Sequence, residues 1–134
     1  MKKLGLVALI LGGMAASAWA DVKIEQLLVR RKGADVNIRV VINNPGATAQ
    51  KGPVQIDLYV RDTESQPWEK IKTWNDISAI KPKDKIARDF FEENNAKLRE
   101  LAKDGAFEAR AVVSLPGGVK GVETIYSWHD KESK

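Results

Sequence analysis

The stretch Val36-Asn37-Ile38-Arg39-Val40-Val41-Ile42-Asn43-Asn44-Pro45-Gly46, with its sequel Gly52-Pro53-Val54-Gln55-Ile56-Asp57-Leu58-Tyr59-Val60, decides the fold. In the first, Val36, Ile38, Val40 and Ile42 alternate with Asn37, Arg39, Val41 and Asn43. In the second, Val54, Ile56, Leu58 and Val60 alternate with Gln55, Asp57, Tyr59 and Arg61. Successive side chains of an extended strand point to opposite faces. Each segment therefore offers one apolar face to a core and one mostly polar face to water. Phe107, Ala109, Ala111 and Val113 repeat the pattern against Glu108, Arg110 and Ser114.

Working outward, weaker strands are expected at Val22 to Arg30, Glu69 to Trp74, Lys85 to Phe91 and Val122 to Trp128. Turn chemistry separates them. Lys32-Gly33-Ala34-Asp35 is short enough for a hairpin, and Asn44-Pro45-Gly46 stops a strand because Pro cannot donate to a ladder while Gly accepts positive φ. Gly52-Pro53 opens the next strand, and Pro116-Gly117-Gly118 links the last two. One stretch departs from alternation: Glu92 to Asp104 carries Ala96, Leu98, Leu101 and Ala102 among charges, with Gly105 behind it. That composition predicts a short helix, capped from the Asn94-Asn95 pair and closed by Gly105. A longer helix beginning at Asp84 is the competing reading. About seven short strands with regular turns predict a mainly β chain: an immunoglobulin-like antiparallel β-sandwich, with one helix inserted before the last two strands. Ile38, Val40, Ile56 and Leu58 are expected inward on paired central strands.

The two opening strings resemble the CARDB-type domains, bacterial cell-adhesion-related modules of immunoglobulin-like fold. That family pairs an alternating strand ending in Asn-x-Gly with a second strand closing on Leu-Tyr-Val, seen here as Leu58-Tyr59-Val60. Ile80-Lys81-Pro82-Lys83-Asp84 sits where the family often has Leu-x-Pro-Gly-x, with Lys83 in the glycine's place. The Asn-Asn run common at the family's last strand is missing after Glu123, and the helix is an insertion. The resemblance covers most of residues 22–128 and implies a sandwich and an adhesion-type or accessory role.

The chain opens as an exported protein would. Lys2-Lys3 precedes an apolar run from Leu4 to Met14, and Ala18-Trp19-Ala20 supplies small residues at the positions a signal peptidase reads. Residues 1–20 are therefore expected to be a cleavable signal, and 21–134 a single domain in the periplasm or outside the cell. A membrane anchor is the rival, but Gly12-Gly13 and Ser17 dilute the run, and a spanning helix wants about 20 strongly apolar residues. No Cys occurs, which excludes a lipid-bearing cysteine, disulfides and thiolate chemistry. Net charge is +4, and Lys2 and Lys3 supply two of those charges. A nucleic-acid binder shows a larger and more clustered excess.

Catalytic patterns are scarce. His129 is the single His and lies in a polar tail, so neither a hydrolase triad nor a zinc site is indicated. No phosphate loop, dinucleotide fingerprint or His-Glu-x-x-His motif occurs. Asp89, Glu92 and Glu93 lie where negative charge complements a helix dipole, and Asp57 and Asp62 are read as solvated. No Asp-x-Asp-x-Asp-Gly loop is present, although a calcium site built from scattered loop oxygens stays open. No cofactor is expected. Arg30-Arg31-Lys32 and Lys81, Lys83, Lys85 form small basic groups, the second suited to keeping strand ends from pairing with other chains.

The aromatic residues supply the candidate contacts: Trp68, Trp74 and Tyr59. One or two Trp are expected to fill the core. Alternation from Glu69 makes Ile71 the inward candidate and leaves Trp68 and Trp74 on the outer face with Lys70 and Lys72. These features predict a non-catalytic interaction module whose partner is another envelope or extracellular protein. The alternative is a carbohydrate-binding module stacking sugars on Trp68 and Trp74.

Overall fold

The computed structural model describes residues 22–32, 35–118 and 120–130. The expected signal segment, residues 1–20, lies outside them. Seven strands occur among the described residues: β1 (Lys23–Lys32), β2 (Asp35–Asn43), β3 (Gln50–Arg61), β4 (Glu69–Ile80), β5 (Lys85–Phe91), β6 (Ala106–Ser114) and β7 (Lys120–His129). They form two antiparallel sheets, a three-stranded one ordered β1-β2-β5 and a four-stranded one ordered β4-β3-β6-β7. This is an immunoglobulin-like β-sandwich.

The alternating segments build the core. Val36, Ile38, Val40 and Ile42 of β2 are fully buried, as are Val54, Ile56, Leu58 and Val60 of β3. β2 and β3 are centred in different sheets, so these rows meet face to face and are not hydrogen-bonded neighbours. β6 adds Phe107, Ala109, Ala111 and Val113. Asn44, also fully buried, ties one end of the sandwich together. Its Nδ2 donates to the carbonyls of Thr48 (2.8 Å) and Ile80 (3.1 Å), and its Oδ1 accepts from the Gly46 N–H (3.0 Å). The Asn44 carbonyl accepts from the Lys83 N–H, at 2.7 Å. Lys83 has φ of 64°, a conformation glycine adopts more readily than lysine.

Helix α1 (Ala96–Asp104) closes the opposite end. Its N-terminus is capped as expected: the Asn95 side chain accepts from the Leu98 N–H at 2.9 Å, satisfying one of the donors a first turn leaves open. Gly105 ends it with φ of 84°, and the strand before it is Lys85–Phe91. The longer helix is thereby excluded. Leu98, Leu101 and Ala102 face the core. At the same end, Arg31 leaves β1 to pair with Asp130 (2.6 Å), and the Asp130 N–H donates to the Gly105 carbonyl (2.8 Å).

One expectation about β4 needs correction. The strand runs on to Ile80, six residues past Trp74, because Trp74, Ile77 and Ile80 reach the core from irregularly paired backbone. Its pairing with β3 slips at three places, one being Gly52-Pro53. A Cβ on Gly52 would meet the Ser78 and Ile77 carbonyl oxygens, so only glycine fits that approach.

Candidate functional site

The outer face of the four-stranded sheet gathers two of the three candidate aromatics. Register pairs Tyr59 with Lys70 on one side and Arg110 on the other, and pairs Arg110 with Ile125. A row Lys70–Tyr59–Arg110–Ile125 therefore crosses all four strands. Tyr59 is half-buried, and Ile125 is 50% exposed.

Trp68, just before β4, lies over this face. The Arg61 guanidinium carbon sits 4.0 Å from the Trp68 ring centroid, a stacked cation–π contact. Arg110 lies 5.8 Å from the same ring and 5.3 Å from that of Tyr59. One guanidinium thus lies within range of both aromatics. Each arginine is also neutralised in place. Arg61 Nε donates to Glu108 at 2.7 Å, and Arg110 pairs with Glu123 at 2.8 Å. A planar guanidinium can stack and bond a carboxylate at once, so the aromatic rings are held on a rigid, charge-balanced base.

Asp57 lies under the same face and is not solvated: it is only 6% exposed. The Thr73 hydroxyl donates to it at 2.6 Å, Gln55 Nε2 at 3.1 Å, and Lys70 stands 3.9 Å away. Burial of a carboxylate is tolerable only with such partners. Here the cross-strand pair Asp57–Thr73 supplies the main one.

Trp74 is elsewhere. It is 9% exposed, opposite Ile56 and turned into the core. The pairing slips between Leu58–Lys72 and Tyr59–Lys70, which leaves Ile71 as an extra residue and reverses the parity beyond it. Simple alternation from Glu69 therefore assigns Trp74 to the wrong face, and Ile71 is only half-buried. The coplanar pair of Trp68 and Trp74 does not exist. Trp128, packed on Phe107 with centroids 5.2 Å apart, is also interior.

Beside Trp68 opens a cleft of about 530 Å³ lined by Arg61, Asp62, Gln66, Pro67, Glu69 and Lys97. It lies between the β3–β4 turn and α1. Asp89, read from the sequence as complementing a helix dipole, is instead paired with Arg39 at 3.3 Å on the other sheet. Among the described residues, no three His, Asp or Glu side chains converge as a metal ion requires. Sequence reasoning missed Arg61, Arg110 and Lys97 as neighbours of Trp68. Alternation does place Arg61 and Arg110 on the outer face, but only the cross-strand register brings them together.

No known family profile matches the chain, and no curated protein aligns with it. Among solved structures it is similar to β-glucosidase from Kluyveromyces marxianus, at TM-score 0.38 and 12% identity, covering 81% of this chain and 14% of that one. β-Glucosidase 3B from Thermotoga neapolitana gives TM-score 0.38 and 12% identity over 81% of this chain and 16% of that one. A protein from Archaeoglobus fulgidus gives 0.37 and 9%, covering 78% of this chain and 94% of that one. The chain thus spans under a fifth of the β-glucosidases, and likeness at this level has no bearing on the site.

Proposed function

We propose that this is a non-catalytic exported module that docks another envelope or extracellular protein on the outer face of its four-stranded sheet. The carrying observation is the pre-ordered cluster of Trp68, Tyr59, Arg61 and Arg110, with exposed Ile125 beside it. Trp, Tyr and Arg are the side chains that most often dominate binding energy at protein interfaces, and immobilised ones lose less entropy on docking. The ion pairs Arg61–Glu108, Arg110–Glu123 and Lys70–Asp57 balance the charge of this face, which suits a protein surface better than a polyanion.

The face is favoured over the strand edges. β4 is slipped at three points and carries exposed Lys70 and Lys72, devices that discourage strand addition. β7 is closed against β1 by Arg31 and Asp130. Export rests on the signal-like residues 1–20, and an adhesion-type role on the CARDB-type resemblance.

Capture from envelope extracts tests the reading, with wild type, Tyr59→Ala with Arg110→Ala, and Phe91→Ala on the opposite sheet as baits. A partner retained by wild type and Phe91→Ala but lost by the double variant supports it. A partner indifferent to the double variant places docking elsewhere.

A further inference from the structure

Beyond protein docking, we propose that the cleft beside Trp68 is a subsite for a single neutral pyranose ring, such as the terminal residue of a glycan. The outer sheet face spends its polar groups internally: Arg61, Arg110, Lys70, Thr73, Gln55 and Asp57 all have partners. The cleft is the exception. Among the described residues, the side chains of Asp62, Gln66, Glu69 and Lys97 line it and make no hydrogen bond or ion pair.

These unspent groups surround a fixed aromatic surface. Arg61 and Arg110 rise from the sheet to hold the indole, and the half-buried ring keeps surface toward the cleft. A pyranose needs this combination. Its C–H face packs on an aromatic ring, while its neighbouring hydroxyls donate to carboxylates, exchange hydrogen bonds with an amide and accept from an ammonium. The cleft volume, about 530 Å³, falls in the range of small-molecule sites. Asp62 and Glu69 outnumber Lys97, and Arg61 is neutralised by Glu108, so an anionic sugar would meet net negative charge. Trp74 is interior and Tyr59 is not part of the cleft wall, so among the described residues Trp68 is the one ring that lines it. The site therefore takes one residue and not a chain laid flat.

Saturation-transfer NMR of the purified protein with methyl glycosides of glucose, galactose and mannose, and with glucuronate, reads the site. At least one neutral glycoside should bind saturably with a dissociation constant on the order of 1 mM, as expected for a ligand this small. Glucuronate should bind more weakly. Asp62→Asn combined with Glu69→Gln, both exposed and unpaired, should weaken binding about tenfold or more without altering thermal stability; Trp68→Ala should abolish it. Phe91→Ala should leave it unchanged. Absence of saturable binding by every neutral glycoside overturns the proposal, as does binding indifferent to the Asp62 and Glu69 changes. Neither result touches docking through Tyr59 and Arg110.

Discussion

Replacing Asn44 with Ala removes a side chain that closes its own loop and ties that loop to the end of β4. Its amide donates to Thr48 and Ile80, and its oxygen accepts from Gly46. A hydrogen bond contributes about 1 kcal/mol net, and orphaning a buried partner costs about 1–3 kcal/mol. The Ile80 bond is buried, so its carbonyl takes the larger penalty; the Thr48 and Gly46 bonds are part-buried, and water recovers a share. The sum is about 3 kcal/mol, a sizeable fraction of the stability of a domain this size. Urea unfolding followed by Trp fluorescence should show the midpoint falling with the slope unchanged. Asn43→Ala is the matched control. Asn43 donates to exposed Glu25 alone, and its loss should cost under about 1 kcal/mol. Equal effects at the two positions would refute the hub assigned to Asn44.

Leu58→Ala should cost about 2–5 kcal/mol, and Tyr59→Ala clearly less, because Leu58 is fully buried and Tyr59 lies on the outer face; equal losses in chemical denaturation would contradict the two-faced strand. Acrylamide should quench one accessible Trp component of the folded domain, and Trp68→Phe should remove it while Trp74→Phe leaves it. Hydrogen bonds from Lys85 and Asn43 hold the Glu25 carboxyl below its ordinary range. That contribution is present above the unfolded pKa and is lost as pH falls through the folded value. Glu25→Gln should flatten the acid side of the melting-temperature profile as pH falls below the ordinary glutamate value of 4.5; an unchanged acid limb would count against the pairing.

What was legible in the sequence follows from how local the controlling physics is. Two-residue alternation places Ile38, Val40, Ile56 and Leu58 in the core without reference to any partner, and Asn95 and Gly105 end a helix through their own backbone neighbours. Which strands pair is a different matter, since Ile38 and Ile56 lie in different sheets and identical alternation would serve them within one sheet. The fate of Trp74 turns on one slipped residue at Ile71, set by pairing with β3. Asp57 reads as solvated because its main partner, Thr73, is brought to it only once β4 lies beside β3. The Trp68 cluster joins β3, β6 and the turn before β4, so no single window of sequence contains it.

The latch between Arg31 and Asp130 has a mechanical consequence. Both residues lie at the α1 end, so β1 and β7 run the same way, and Val22 sits at the far end from Asp130. Tension applied between Val22 and Asp130 would act along the strands and draw β1 against β7 in opposite directions. Hydrogen bonds lying across a strand then bear the load together instead of parting one by one. The nine register pairs from Lys23–Asn43 to Lys32–Asp35 would have to yield nearly at once, with the Arg31–Asp130 ion pair strained in the same stroke. A domain held this way resists stretching along its strands far better than peeling across them.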